Sequence, residues 1–401
     1  MCSSSGLVSV LNMGNVALTG QFSLSGKSVI EMPLNLSQCS SCGLVQLLNS
    51  YPTDLLYGKA YGYESHLNSS MRKHLHSKAN LLEKKFLAGK NPVTLDIASN
   101  DGTLLSGYRN PNVTKIGVDP ILRYLEDYYP PQSIKLSKFF DESILNEVRP
   151  DSVDLVTSLS VIYDLDNPIE FANTINKILK PGGIWHFEQS YLPSMLSSMS
   201  YDTICHEHLL YLSMKDVLII LNESGFSIIE VTQNSVNGGS LAVTAVKGKN
   251  HDFHPYVSYL LNKEKQIGLY NGEALRSFGQ SAMLHSKEAK NLIHEYKQLG
   301  FKIYGLGAST KGNVFLSYAK LSSEEIDCIG DINPKKFGKR TPGSDIRIES
   351  ERDVLSKADK RSLYLILPWH FRENIISSCS SILERHSSFL IPFPSLEIVS
   401  S

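Results

Sequence analysis

Apolar residues along the chain recur at two spacings, and the pattern changes between helical and strand-like several times. Met71, Leu75, Ala79 and Leu82 fall on one face of a predicted helix. A continuous apolar run at 93–97 then predicts a buried strand. Before residue 80 the pattern predicts short strands and glycine-containing turns, which indicates a small appended module.

Strand and helix patterns alternate from residue 93 onward, and this alternation predicts a mostly parallel sheet with helices on both faces. The predicted strands and helices lie at 93–97, 115–118, 153–156, 169–179 (helix), 183–187, 214–224 (helix) and 227–231. Residues 228–232 and 241–246, joined by a Gly-Gly turn, suit an antiparallel pair at the sheet edge. The predicted fold class is therefore α/β.

The last third of the chain repeats this alternation on a smaller scale. Strand patterns at 302–305, 326–330, 363–367 and 389–391 predict a second α/β domain. The segment before it is polar and helical in pattern. We therefore predict four parts, namely a small module at 1–80, a central α/β domain at 81–250, a helical connector at 251–300 and a C-terminal α/β domain at 301–401.

Charge and hydropathy narrow the class of partner. Lys and Arg number 39 against 40 Asp and Glu, and no basic face recurs, so neither nucleic acid nor an anionic membrane is expected as a partner. No apolar run approaches the ~20 residues of a membrane span, and the N-terminus lacks a secretion-signal pattern. We expect a cytoplasmic protein, a monomer or weak oligomer, that acts on a small molecule.

The first candidate site follows the strand at 93–97, where the chain continues as Ala98-Ser99-Asn100-Asp101-Gly102. At such a strand end, small residues let a ligand approach the backbone, and carboxylates can bind its hydroxyl or amine groups. The G-x-G-x-x-G fingerprint of dinucleotide binding is absent here. The next strand delivers Asp119, which is placed to bind both hydroxyls of a ribose. The alternative is a helix-capping turn with a loop acid.

The second candidate site is His206-Glu207-His208. Two histidines two positions apart lie on opposite sides of a helix, and the H-E-x-x-H spacing of zinc proteases is absent, which disfavours a metal. A histidine beside a carboxylate suits proton removal, because its pKa lies near neutrality. The alternative for any single histidine is a core or surface position.

Two further patterns suggest metal and anion binding. Cys39 and Cys42 form the only close pair among the six cysteines, and a C-x2-C pair before an apolar strand is half of a structural zinc site. Two buried thiols without metal are the alternative. A glycine-rich turn starts a predicted helix in the C-terminal domain, where backbone amides bind anions and Lys311 adds charge, which suits a diphosphate. Its alternative is a tight turn in an α/β domain.

Taken together, these patterns resemble the sugar C-methyltransferases that build branched deoxysugars in glycans and antibiotics. The resemblance covers essentially the whole chain. It rests on segments 39–46, 61–63, 99–102, 201–208, 237–241, 304–313, 331–334, 341–343 and 367–369, in the order that the family has them.

The resemblance implies a class I, Rossmann-like methyltransferase domain between a small zinc-binding module and a C-terminal α/β domain. It implies a nucleoside-diphosphate 4-keto-deoxyhexose as substrate, with His208 as general base and Glu207 and Tyr63 in supporting roles. The cofactor would be S-adenosylmethionine, bound by Asp96, Ala98, Asn100, Asp101, Gly102, Asp119, Pro120 and Ser158. The nucleotide part of the substrate would rest on Gly305, Gly307, Lys311 and Asn313, and a structural Zn²⁺ on Cys2, Cys39 and Cys42.

The chain departs from the family pattern at three places. Cys205 stands where the family often has tyrosine, and Asp164 stands where the family often has histidine. A cysteine lacks the hydrogen-bonding reach of a tyrosine, and an aspartate is anionic where a histidine is neutral or cationic. The family binds zinc with two cysteine pairs, whereas only Cys2 precedes Cys39. Either the true start lies upstream or a substitute ligand completes a three-thiolate site; if Cys2 is the first of its pair, Ser5 holds the missing position.

These observations favour a carbon methyltransferase whose histidine base forms an enolate. Two alternatives remain open. An O- or N-methyltransferase acting on a sugar or small molecule would need no enolisable ketone. A catalytically silent nucleotide-sugar binding protein would explain the departures at Cys205 and Asp164.

Overall fold

The computed structural model describes residue 2 and the ranges 4–24, 29–57, 63–248 and 254–400. Residues 61 and 62, which belong to one of the family-like segments, lie outside the described residues. In chain order the strands are β1 (Leu7–Ala17), β2 (Glu31–Cys39), β3 (Val45–Leu47), β4 (Val93–Ile97), β5 (Thr114–Val118), β6 (Ile134–Leu136), β7 (Val153–Leu159), β8 (Leu179–Ser190), β9 (Leu210–Tyr211), β10 (Phe226–Asn234), β11 (Ser240–Lys247), β12 (Lys302–Leu306), β13 (Cys328–Asp331), β14 (Ile348–Ser350), β15 (Ser362–Ile366), β16 (Ser388–Ile391) and β17 (Glu397–Val399).

The α-helices are interspersed with short 3₁₀ turns. In chain order they are α1 (Thr53–Leu56), α2 (Ser69–Phe86), α3 (Thr103–Ser106), α4 (Pro168–Ile178), α5 (Leu192–Ser197), α6 (Met214–Glu223), α7 (Pro255–Gln266), α8 (Glu273–Gln298), α9 (Thr310–Tyr318), α10 (Glu351–Ser356) and α11 (Arg372–Ser378). No helix within the described ranges is both long and apolar enough to cross a lipid bilayer.

The chain divides into two compact units, each built from separate stretches of sequence. The first comprises residues 1–3, 53–192 and 210–267, and the second comprises residues 4–52, 193–209 and 268–401. The four predicted parts follow the order of the sequence, whereas the units interleave it. The reason lies in the second unit, where β1 packs against helices α8 and α9 of the C-terminal third.

The first unit contains a seven-stranded sheet in the order β10-β11-β8-β7-β4-β5-β6. Strands β4 to β8 pair in parallel, and β11 and β10 complete the edge as an antiparallel pair. This arrangement confirms the predicted α/β class and the predicted antiparallel edge. The order reverses at β4, so the carboxyl ends of β4, β5 and β7 surround a crevice of the kind that binds ligands in open α/β sheets.

Helix α2 forms as its apolar spacing predicts. Met71, Leu75, Ala79 and Leu82 are its buried residues, and the Asn68 side chain caps its N-terminus by accepting from the Ser70 and Met71 amides. Capping and one buried stripe fix both the start and the rotation of the helix. The end of β4 and the start of α2 are thereby held in the same unit.

The second unit contains a six-stranded sheet in the order β14-β13-β12-β15-β16-β17, parallel except for β17. Its four longer strands agree with the prediction, whereas β14 and β17 are too short to give a pattern. The N-terminal strands are longer than predicted: β1 runs for 11 residues and pairs antiparallel with β2 across two irregularities in register. Those irregularities break the period-two alternation that would have revealed the strand.

Candidate active site

The loop after β4 carries the first set of predicted site residues. Ala98 and Asn100 adopt positive φ angles of 53° and 50°, and Ala98 is exposed. Asp119, at the end of β5, is buried; its two oxygens accept the Asn100 amide at 2.9 Å and the Ile121 amide at 2.8 Å. Burial raises the pKa of Asp119, and these two hydrogen bonds oppose that rise. The carboxylate is held rigidly beside the exposed backbone of the loop, with Pro120 next to it.

Several predicted cofactor residues make contacts that hold the sheet and loop together, and their assignment to the cofactor stays a prediction. Asp96 is buried and accepts the Thr157 hydroxyl at 2.6 Å, and burial raises its pKa to about 7. The Ser158 hydroxyl accepts the indole N–H of Trp185 at 2.9 Å. At Gly102, with φ of +74°, an added Cβ would lie 2.9 Å from the Tyr129 ring. These contacts give the three residues structural tasks at the base of the crevice.

A short segment before α2, which the sequence did not single out, clamps the same loop. Ser65 donates its amide to Asn100 Oδ1 at 3.0 Å, and His66 donates its amide and its Nδ1–H to Asp101 Oδ2, both at 2.8 Å. Tyr63, whose side chain is exposed, accepts Asn100 Nδ2 on its backbone carbonyl at 3.1 Å. The predicted residues Tyr63, Asn100 and Asp101 are thus brought together within the first unit.

These residues suit an adenosyl cofactor. A fixed carboxylate at the end of the second strand can accept both hydroxyls of a ribose, since each of its oxygens has a lone pair beyond the one used by a backbone amide. The small, exposed side chain of Ala98 leaves the loop backbone open to a ligand. Among the predicted cofactor residues, Ala98 is thus exposed and Pro120 half-buried, while Asp119 lies buried with its carboxylate against the backbone of the loop.

The second set of site residues lies in the second unit and centres on His208. The Nδ1 atom of His208 is 2.8 Å from the carbonyl oxygen of Thr203, and since that oxygen only accepts, Nδ1 carries the hydrogen. Nε2 is therefore the atom of the neutral ring that accepts a proton. Burial and the charge of Lys311 lower the pKa of His208 to about 4, so the ring is in its basic form at neutral pH.

His206 and Glu207 have different surroundings from His208. His206 is buried, its Nε2 lies 3.2 Å from the Met32 carbonyl, and its ring meets the edge of Tyr51 with centroids 4.7 Å apart. Glu207 is also buried and accepts the Thr19 hydroxyl at 3.4 Å; burial raises its pKa. His206 is thus a core histidine, whereas His208 alone of the two is partly exposed.

The glycine-rich turn between β12 and α9 is packed against its own unit. An added Cβ at Gly305 would lie 2.7 Å from Ile329, and one at Gly307, with φ of +77°, would lie 2.6 Å from Pro368. Asn313 is buried and donates Nδ2 to the Thr19 carbonyl at 2.7 Å. Lys311 is half-buried, and the assignment of Gly305, Gly307, Lys311 and Asn313 to the nucleotide stays a prediction.

The charge of Lys311 acts on polar groups from two other segments of the second unit. Burial is the main cause that lowers the pKa of His208 and of His370, and the charge of Lys311 lowers both further. Lys311 also lowers the pKa of Asp202, which burial nevertheless raises to about 6. The sequence assigned no role to Asp202 or His370, because their interaction with Lys311 arises only when the segments pack.

The cysteine cluster fits a metal ion. The sulfur atoms of Cys2, Cys39 and Cys42 all lie within 4.8 Å of one another. Three thiolates at about 2.3 Å from one tetrahedral zinc ion have sulfurs about 3.8 Å apart, which a small contraction would reach. The cluster therefore agrees with zinc as a structural ion, as predicted.

Comparisons with known proteins agree with this picture along the whole chain. Three family models match in succession: a zinc binding domain at residues 1–57, a methyltransferase domain at 63–231, and a C-methyltransferase C-terminal domain at 235–394. The C-methyltransferase NovU of Streptomyces niveus is 25% identical over 410 residues, which cover 100% of this chain and 96% of that protein.

Solved structures were also compared. The SAM-dependent methyltransferase from Aquifex aeolicus is 16% identical, with 45% of this chain and 98% of that chain covered and a TM-score of 0.35. The S-adenosylmethionine-dependent methyltransferase from Mesorhizobium loti is 16% identical. The match covers 43% of this chain and 99% of that chain, with a TM-score of 0.33.

Proposed function

We propose, from the premise that the chain belongs to the S-adenosylmethionine-dependent C-methyltransferases, that its substrate is a nucleotide-linked 4-keto-deoxysugar. When bound, S-adenosylmethionine would supply the methyl group, with a new carbon–carbon bond to the sugar replacing the carbon–sulfur bond, whose electron pair would stay on sulfur. The residues suited to hold this cofactor are Ala98, on the loop braced by Ser65 and His66, and Asp119 and Pro120, which follow β5. Cys2, Cys39 and Cys42 would bind a structural zinc ion.

The observation that carries the proposal is the hydrogen bond from His208 Nδ1–H to the Thr203 carbonyl oxygen. It makes Nε2 the basic nitrogen of the ring. Burial, together with a nearby cation, lowers the pKa of His208 to about 4, so the ring is neutral at pH 7. A neutral ring can accept a proton, and a sugar carbon becomes a nucleophile only after it loses a proton next to a carbonyl group.

The chain's own residues divide the work as follows. His208 Nε2 removes the proton from the carbon beside the ketone, and Thr203 holds the ring in the tautomer that exposes Nε2 for this task. The electron pair of the broken C–H bond forms a carbon–carbon double bond, and the carbonyl oxygen becomes an enolate. Glu207 is buried beside Thr19 and keeps its predicted supporting role. Tyr63, in the first unit, also keeps its predicted supporting role.

Deuterium exchange tests the proposal. The purified protein is mixed in D2O with a nucleoside-diphosphate 4-keto-6-deoxyhexose and S-adenosylhomocysteine, and loss of the C3 proton signal is followed by NMR. We expect catalysed exchange, and with S-adenosylmethionine a product whose new methyl group is bonded to carbon. An O- or N-methyltransferase would give no exchange and a methyl group bonded to oxygen or nitrogen, and that result would overturn the proposal.

A further inference from the structure

The second unit has its own crevice where the direction of strand connection reverses. From β12 the chain proceeds to β13 on one side, whereas β15 lies on the other side of β12, and all three are parallel. The loops that follow β12 and β15 meet there, since a Cβ on Gly307 would lie 2.6 Å from Pro368. Ligands of open α/β sheets bind at this topological position.

Three segments bring charged and polar side chains to this position. Lys311 lies in the first turn of α9, and Trp369 and His370 follow β15. The turn Tyr201–Thr203 packs against α9, and Asp202 on that turn accepts the Trp369 indole N–H at 2.9 Å. His208, five residues after Thr203, is tied back to the same turn. The base and the lysine therefore belong to one cluster.

One oxygen of Asp202 is left for a further interaction. Asp202 is buried, Oδ2 accepts from Trp369, and Oδ1 has no hydrogen-bond partner within the described ranges. His370 Nδ1 is likewise buried without a partner in the described part of the chain. Burial lowers the pKa of Lys311, and the charge of Asp202 opposes that shift without reversing it. Lys311 and Asp202 therefore act on each other's charge within the cluster.

We propose that Lys311, which lies in one cluster with Asp202 and His208, binds the substrate carbonyl oxygen beside the carbon from which His208 removes a proton. This inference rests on the proposed function. It assigns Lys311 to the oxygen that becomes the enolate, in place of the diphosphate to which the sequence pattern alone assigns it.

The charge that develops in the reaction suits a cation at the carbonyl oxygen. A carbonyl oxygen is neutral when it binds and gains negative charge only as the proton leaves. A cation at this oxygen thus stabilises the transition state more than the ground state, which is what accelerates a reaction.

The proton and the electrons balance in this step. The C–H bond breaks and its proton passes to Nε2 of His208. The electron pair forms the carbon–carbon double bond, and the π pair of the carbonyl group moves onto oxygen, beside the Lys311 ammonium. In D2O the histidine exchanges its hydrogen with solvent and returns a deuteron to carbon, so the half-reaction is complete without methyl transfer.

The test compares Lys311→Met with Lys311→Arg and, as a matched control, with Lys287→Met, which removes an exposed lysine from α8. Exchange of the C3 proton is measured in D2O with the keto-sugar nucleotide saturating. We expect Lys311→Met to slow exchange by roughly 100-fold to 1,000-fold, the scale for loss of one oxyanion-stabilising group. Lys311→Arg should retain part of the rate, and Lys287→Met should match the wild type.

Two further measurements separate this role from a structural one. Calorimetry with S-adenosylhomocysteine should give an unchanged Kd for Lys311→Met, since the residues for that ligand lie in the first unit. NMR titration of the His208 ring should show its pKa rising in Lys311→Met, because removal of a nearby cation favours the protonated ring. If Lys311→Met fails to fold, Lys311→Gln takes its place.

The outcomes are distinguishable. Suppose that Lys311→Met exchanges the C3 proton at the wild-type rate but binds UDP or dTDP at least tenfold more weakly. That result would overturn the inference and return Lys311 to the diphosphate. An unmoved His208 pKa would also overturn it, because the two side chains would then not form one cluster. Absence of exchange and of carbon methylation in the wild type would instead overturn the proposed function itself, and the inference with it.

Discussion

The loop after β4 and the cluster around His208 both gather buried polar groups, but they are assembled in different ways. In the first, groups close in sequence are fixed by backbone amides, as when Asp119 accepts from Asn100 and Ile121. In the second, Asp202 and His208 share one segment, Lys311 comes from a segment about a hundred residues later, and the pKa of each depends on charges in the other segment. The comparison teaches that binding geometry can be local, whereas the tuning of a proton-transfer group is a tertiary property.

The largest expected effect concerns the base. His208→Ala should lower turnover by roughly 100-fold to 10,000-fold, the usual contribution of a general base, and should abolish C3 proton exchange. Calorimetry should give the same Kd for S-adenosylhomocysteine as the wild type. His294→Ala, which removes an exposed histidine from α8, is the control. A His208→Ala protein of near-normal activity would show that the cluster in the second unit is not the site of proton transfer.

The next effect tests the local site. Asp119→Ala should weaken S-adenosylhomocysteine binding by about 1 to 3 kcal/mol, because the ribose hydroxyls and the Asn100 amide would lose their acceptor. Calorimetry measures the change, and Asp127→Ala, at an exposed position nearby, should leave the Kd unaltered. Equal affinities for the two variants would mean that the loop after β4 does not bind the nucleoside.

Zinc adds a third test, away from both sites. Mass spectrometry of the native protein should find close to one zinc per chain, and Cys39→Ser or Cys42→Ser should lose most of it and unfold at a lower temperature, since a bound metal stabilises the folded state. Cys379→Ala removes a buried cysteine outside the cluster and should keep the metal. Native protein that is free of zinc, with the same Tm after chelation, would contradict the assignment.

The smallest effect is in the pH dependence. Because the pKa of His208 is lowered to about 4, its basic form persists as pH falls, and proton exchange should show no histidine step near pH 6.5. The rate should fall only as pH approaches about 4. Asp202, whose pKa is raised to about 6, titrates between these limits, so any shallow step near pH 6 should vanish in Asp202→Asn. A full loss of exchange centred at pH 6.5 would show that His208 is solvated like a free histidine.

Much of the fold could be predicted because it follows local rules. The buried stripe of α2, the parallel strands from β4 to β8 and the antiparallel edge agree with the periodicity of their residues. The length of β1 could not be predicted, since two irregularities in its pairing with β2 hide the alternation. The interleaved units could not be predicted either, because contacts between the N-terminal strands and α8 leave no periodic trace.

The sequence by itself determined the type of chemistry: a carboxylate at the end of the second strand, a histidine beside an acid, and a cysteine pair before a strand are residue types whose spacing already restricts their use. Only the tertiary structure decided which of them are engaged by contacts within the protein. It committed Asp96 and Ser158 to the sheet and His206 to the core, and it placed Lys311 with Asp202 near His208. The physical reason is that burial and neighbouring charges, which set protonation and availability, are properties of packing between segments that are distant in sequence.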